Sequence, residues 1–267
     1  MTMNSAALIQ EGRLEEGLAA LQAEVKARPT DAEKRFELGE LLVLLGEWAR
    51  ADNQLDLVST QEPSFGVLVA LMRQLIRGEV ARKEVFEQGR APELVGEVSG
   101  EVSGEVAAAL RRLLDLRDPE TREVRGPGDP APVRGVVDGR PFNGVRDLDD
   151  RVADVLEVLT STGKYFWIPW SQVRSIELQK PTRLRDLVWR QANLDVADGP
   201  SGVVYIPATY AASAAETSGL ARLGRETSWV EEKGLMRGVG LRTLLVGEED
   251  LSLAEFSVLS FAEAQGA

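Results

Sequence analysis

The side chains that could do chemistry in this 267-residue chain are defined first by two that are missing. It carries 43 acidic and 31 basic residues but no histidine and no cysteine. The commonest general base and the commonest zinc ligand are therefore absent together, and neither a Ser/His/Asp nor a Cys/His nucleophile system can be assembled. Carboxylate chemistry, an activated lysine or an oxygen-only cation site remain. Adjacent acids occur at Asp149-Asp150, Glu231-Glu232 and Glu248-Glu249-Asp250. Two acids can support glycoside hydrolysis, but neighbouring acids in turn-like sequence are ordinarily solvated. Asp147, Asp149 and Asp150 form an oxygen set that lacks the Gly and Glu spacing of a calcium loop. Lys164 would serve as an amine nucleophile only if buried. A hydrolase or transferase would rest on acids such as Asp186 and Glu226, and requires that two acids converge in a deep pocket with raised pKa values.

Three denser clusters favour contact over catalysis. Arg183-Leu184-Arg185-Asp186-Leu187-Val188-Trp189-Arg190 mixes guanidinium and indole groups, the stuff of interface hot spots. An internal Arg–Asp brace is its structural alternative. In Tyr165-Phe166-Trp167-Ile168-Pro169-Trp170, strand alternation places Tyr165 and Trp167 on one face and Phe166 and Ile168 on the other. Core packing is the ordinary fate of such aromatics, partner contact the other. Arg237-Gly238-Val239-Gly240-Leu241-Arg242 could hold a phosphate, but no Walker or full dinucleotide pattern surrounds it. A bulge or a close backbone crossing accounts for its glycines better. The candidate partner-binding residues are Arg185, Asp186, Trp189, Arg225, Trp229, Arg237 and Arg242. No catalytic, cofactor or metal residue is assigned.

The elements that must position these groups begin with a repeat. Leu8, Gly12, Leu21 and Pro29 recur 34 residues later as Leu42, Gly46, Leu55 and Pro63, with Gly17 answered by Ala51. That period is the signature of tetratricopeptide (TPR)-like helical hairpins, which stack to make grooves for other polypeptides. Residues 5–28 and 31–60 each read as two helices broken at Gly12 and Gly46. Thr30 or Asp31 caps the third helix ahead of first-turn acids. Two repeats are fewer than a solenoid needs, so Gly66–Gln88 is expected to cap the stack. Residues 94–106 duplicate Glu-Val-Ser-Gly and read as a surface loop, and residues 107–117 as a further helix.

Pro119, Gly126, Pro127, Gly128, Pro130 and Pro132 mark an interdomain linker. Beyond it, 152–159 is apolar and β-compatible, with a helix as its alternative, and strands are expected at 165–169, 173–178, 187–196, 203–206, 227–231, 240–246 and 254–261. Asp198-Gly199-Pro200-Ser201-Gly202 and Lys233-Gly234 supply turns. The expected class is α+β: a TPR-like helical domain over 1–118, a Pro/Gly-rich linker over 119–133, and a mostly antiparallel β-rich domain over 134–267.

The net charge of −12 is spread along the chain, with no basic segment to release counterions from nucleic acid or to bind anionic lipid. Met1 to Glu11 lacks the basic and apolar regions of a secretory signal, and no run approaches the roughly 20 apolar residues of a membrane span. The expectation is a cytoplasmic protein without nucleic-acid or membrane partners.

Several stretches taken in order carry a family resemblance. They are the N-terminal repeat, Asp138-Gly139-Arg140-Pro141-Phe142, Gly163 through Trp170, Val173-Arg174-Ser175-Ile176 and Leu184 through Arg190. Ile206-Pro207-Ala208-Thr209-Tyr210, Arg222 through Trp229 and Gly238 through Gly247 follow. Together they resemble the ImpE/SciE-type accessory proteins of type VI secretion, also called TagJ. The resemblance implies a non-enzymatic cytoplasmic factor. It also implies two partners: the N-terminal helix of the small contractile-sheath subunit, and the AAA+ ATPase that recycles contracted sheath. A partner helix would lay its apolar face in a groove. The Glu-Val-Ser-Gly duplication departs from the family pattern.

Overall fold

The computed structural model describes residues 4–95, 102–197, 199 and 201–262. Most of the duplicated Glu-Val-Ser-Gly segment, and Asp198 and Pro200 of the turn signal, lie outside the described residues.

The repeat folds as two helical hairpins: α1 (Ser5–Gln10) with α2 (Leu14–Ala27), and α3 (Ala32–Leu44) with α4 (Trp48–Gln61). Each hairpin turns on the repeat glycine, Gly12 at φ 78° and Gly46 at φ 70°. The backbone bonds match as well. Gly12 N–H reaches the Ile9 carbonyl and Arg13 N–H that of Leu8, while Gly46 N–H reaches Val43 and Glu47 N–H reaches Leu42. This is the Schellman closure, which takes glycine because an L side chain is strained there. Asp31 caps α3 through the Lys34 N–H at 3.0 Å. At Gly39 an added Cβ would stand 3.4 Å from Leu55 Cδ2, so the small residue sets how closely α3 and α4 pack. As expected, α5 (Gly66–Gln88) covers the stack and α6 (Gly104–Arg117) follows.

The remaining chain is mostly strand. β1 (Glu93–Leu94), β2 (Ala131–Val137), β3 (Arg140–Asp147), β4 (Val155–Leu159), β5 (Tyr165–Pro169), β6 (Val173–Leu178), β7 (Trp189–Val196) and β8 (Gly202–Pro207) join one large sheet. β9 (Thr227–Glu232) and β10 (Leu235–Gly240) form a separate hairpin after the short α7 (Gly219–Arg222). β11 (Thr243–Val246), β12 (Glu249–Ser252) and β13 (Val258–Phe261) return to the sheet. Its order is β1-β5-β4-β8-β7-β6-β13-β2-β3-β11-β12, antiparallel at every pairing except β1 with β5. The partner of β9 is Leu235–Gly240, where the sequence reading placed 240–246. The positive φ of Lys233 and Gly234 makes the tight turn, and Gly240 at φ 88° ends β10 so that β11 can leave for the sheet. The stretch read as linker is tied down in part: Val124 is buried with its N–H on the Lys233 carbonyl at 2.8 Å, and β2 begins at Ala131.

Side-chain alternation divides the sheet's contacts. Val155, Leu159, Tyr165 and Trp167 join the helical core of Leu21, Phe36, Leu42, Leu55 and Leu75 in one cluster. Leu156, Val158, Ile168 and Trp170 point the other way into a second cluster, with Ile176, Leu194, Ile206 and Leu259. The aromatic run is therefore core, Tyr165, Trp167 and Trp170 each being at most 1% exposed. Helices and sheet also share ionic ties. Arg183 donates to Glu40 and Glu33 of α3, both at 2.9 Å, and lies 4.7 Å above the Phe36 ring. No helix among the described residues is long and apolar enough to cross a membrane.

Candidate functional site

A pocket of about 310 Å³ opens where the hairpins meet the sheet. The end of α3 and the following turn supply Leu44, Leu45 and Gly46, and Trp48 opens α4. One face of α5 contributes Glu79, Arg82, Lys83 and Glu87, whose three- and four-residue spacing keeps them on one side of the helix. Val188 and Trp189 enter from the sheet, with Tyr210 and the alanines that follow it on the far side.

The floor is a buried ionic network. Glu157, on β4 and wholly buried, accepts Arg82 Nε at 2.7 Å and Arg82 Nη2 at 3.3 Å, together with the Tyr165 hydroxyl and Arg242 Nη2. Trp167 Nε1 donates to the Tyr165 oxygen at 2.6 Å. Arg82 also reaches Glu79 at 3.0 Å and the Thr209 carbonyl at 3.1 Å, while Trp189 Nε1 takes the other Glu79 oxygen at 3.0 Å. Arg242 completes its fork on the Pro207 carbonyl at 2.8 Å and on Asp147 at 2.5 Å. Burial pushes the Glu157 carboxyl up, but the Arg242 and Arg82 guanidiniums outweigh it and hold the group below the usual carboxylate range. At Asp147 burial wins: its pKa stands at about 7, with Arg242 pulling down and Asp149 pushing up. Arg242 is thus shared between a firmly ionised Glu157 and an Asp147 that titrates near neutrality.

The acids that looked able to act together are engaged elsewhere. Asp149 accepts Arg151 Nε at 2.9 Å and Nη2 at 2.5 Å, with the Gly238 N–H at 3.1 Å. Asp150 accepts the Met236 N–H at 2.7 Å. Asp186 caps its own turn through Thr182 N–H at 2.8 Å and Arg183 N–H at 2.9 Å, and Glu226 accepts the Ser218 hydroxyl. Neither Asp186 nor Glu226 lines the pocket. Its walls offer apolar surface rimmed by charges, most of them already paired, an arrangement suited to seating a side chain of another molecule.

Of the seven contact candidates, only Trp189 lines this pocket, and it is 2% exposed. Arg185 and Asp186 are buried 3.5 Å apart, and Arg242 is wholly buried. Arg225 is exposed and donates to the Gln10 carbonyl, Arg237 is half-buried 3.8 Å from Glu232, and Trp229 is exposed against the Tyr210 ring at 5.7 Å. The two glycines of 237–242 are close-packing positions. A Cβ on Gly238 would enter the Tyr210 ring, and one on Gly240 would stand 1.9 Å from the Glu226 carbonyl oxygen. Sequence reasoning missed Leu45, Trp48, Glu79 and Lys83 as lining residues. The signal available was the hairpin turn at Gly46, since Leu45 and Trp48 flank it.

The geometry has close relatives. The family profile described as "ImpE protein" matches residues 139–260. The crystal structure of protein VPA1032 from Vibrio parahaemolyticus superimposes with a TM-score of 0.84 at 28% identity, covering 98% of each chain. The type VI secretion system accessory component TagJ of Pseudomonas aeruginosa is 36% identical over 262 residues, 95% of this chain and 89% of that protein. An identity of that level over almost the whole length, with the profile match inside it, establishes that the chain belongs to the ImpE family, to which TagJ is its similar relative.

Proposed function

We propose that the protein is a non-catalytic, cytoplasmic accessory component of type VI secretion that works by binding other polypeptides. Its partner at the pocket is the N-terminal helix of the small contractile-sheath subunit, and through that contact it modulates sheath turnover by the AAA+ ATPase. The observation that carries this reading is the pocket itself. Leu44, Leu45, Trp48, Val188 and Tyr210 surround a space that accepts one large apolar side chain, with Glu79, Lys83 and Glu87 in a line along its edge. An amphipathic helix meets such a surface with an apolar anchor and flanking charges. The accessory role named for the similar TagJ protein supports the same reading.

Isothermal calorimetry of the purified protein with a peptide of the sheath subunit's N-terminal helix tests it. The expected result is saturable one-to-one binding that is lost when the peptide's apolar anchor is changed to Asp. Absence of heat and of any shift at high micromolar peptide overturns it.

A further inference from the structure

The outer wall of the pocket is a short arch that follows the sheet's chain but rests on the helical hairpins. Over residues 211–220, Ser213 is the one buried residue, and most of the others are alanine, glycine, serine or threonine. The arch meets both hairpin turns at equivalent places in the repeat. The Ala214 Cβ lies 3.3 Å from where a Cβ on Gly46 would stand, and Gly219 sits so close to Gly12 that a Cβ there would be 1.8 Å from the Gly12 carbonyl oxygen. Beyond it two arginines latch to the first hairpin: Arg222 Nη1 on Glu15 at 2.7 Å, and Arg225 on the Gln10 carbonyl. The ends are fixed by the buried Tyr210 and Leu223.

A segment with firm ends and little buried apolar surface opens at a small fraction of the global unfolding free energy. We propose that residues 211–220 are a gate on the pocket. Closed, the arch confines the pocket to one anchor side chain. Displaced, it extends the pocket from the turn at Gly46, which already lines it, to the turn at Gly12, and a helix can lie along both hairpins. The latch then sets the apparent affinity, because a binding-competent form that is only partly populated weakens binding by its fraction. The gate rests on the reading of the pocket as a helix-binding site.

The chain has no cysteine, so Gly46→Cys with Ala214→Cys gives one unambiguous disulfide, and the strain of an L residue at the 70° φ of Gly46 is common to its oxidised and reduced forms. Their Cβ separation of 3.3 Å is close to the about 3.5–4.5 Å that a disulfide spans. The oxidised double variant is expected to bind the sheath-helix peptide about tenfold or more weakly than the same protein reduced. In the wild-type chain, amides of 211–220 should exchange hydrogen faster than those of the flanking Ala208 and Tyr210, which bond to Val188 and Gly240 outside the segment, and oxidation of the variant should slow them. Equal affinity in the two redox states overturns the gate. If no form binds the peptide, the sheath-helix reading fails and exchange alone decides the gate: protection across 211–220 equal to that of its flanks overturns it. Glu15→Ala, which leaves the turn glycines intact, provides a second arm. It should speed exchange across the arch, and unchanged exchange counts as the same refutation.

Discussion

Arg242 and Glu157 lie 85 positions apart and meet with both side chains 1% exposed, forming the ionic centre of the wall between helices and sheet. Arg82, from α5, takes the other side of the same carboxylate. One acid therefore bridges two buried guanidiniums, and removing it leaves Arg82 with Glu79 alone and Arg242 with Asp147 alone, two partial compensations for two fully buried charges. Glu157→Gln is expected to lower the unfolding free energy by about 3–5 kcal/mol. Urea melts of the two proteins measure the difference, and a loss below about 1 kcal/mol, the value of an exposed pair, contradicts the assignment.

Gly240 makes a second, independent prediction. Its φ of 88° and the Glu226 carbonyl oxygen 1.9 Å from an added Cβ leave no room for a side chain. Gly240→Ala should cost about 1–3 kcal/mol and loosen the crossing between the β9–β10 hairpin and the sheet. Thermal denaturation supplies the number. Gly139, also at positive φ but with nothing near its Cβ, is the control for conformational strain alone.

What the sequence made legible was local. The 34-residue period located both hairpins because Gly12 and Gly46 must adopt a left-handed conformation whatever packs around them. Tyr165–Pro169 was readable as a strand because aromatic and branched residues alternate there between two apolar clusters. The β2–β3 hairpin was missed although Asp138-Gly139, both at positive φ, is a strong two-residue turn signal. The prolines just before it gave the stretch the look of a linker. The pocket was illegible for a different reason. Leu45, Trp48, Glu79, Trp189 and Tyr210 come from four separate parts of the chain, and their proximity is a product of tertiary packing. Arg242 read as a surface residue because charge ordinarily lies outside; no local pattern marks a guanidinium whose carboxylate arrives from a distant strand. Arg185 and Asp186, by contrast, are neighbours in sequence, and the internal Arg–Asp brace was legible there as one of two readings.

Glu40 gives stability a pH dependence. It is 2% exposed on α3, and burial raises its pKa to about 7 although Arg183 pulls it down. Its folded pKa thus lies above the unfolded value of about 4.3. The native state then holds a proton that the unfolded chain has released. The contribution is full below the unfolded pKa and is lost as pH rises through about 7. Melting temperatures of the wild type and Glu40→Gln, taken from pH 5 to pH 8, test this. The wild type should lose stability relative to the variant across that window, and parallel curves would refute the linkage.

The pocket separates a binding defect from a folding defect among three tryptophans. Trp189 is 2% exposed and ties Glu79 through its ring N–H, so Trp189→Ala should cost about 3–5 kcal/mol of stability. Trp229 lies on the β9–β10 hairpin outside the pocket lining, and Trp229→Ala should leave unchanged the affinity for the sheath-helix peptide proposed as ligand. Trp48 is half-buried on the rim, with Lys83 Nζ 5.6 Å from its ring centroid, and can surrender that contact to a partner side chain. Trp48→Ala should weaken peptide binding by about 1–3 kcal/mol while keeping the native circular dichroism spectrum. Calorimetry on the three variants reads the pattern. A loss of affinity in Trp229→Ala with none in Trp48→Ala would move the binding surface to the exposed hairpin, away from the junction of helices and sheet.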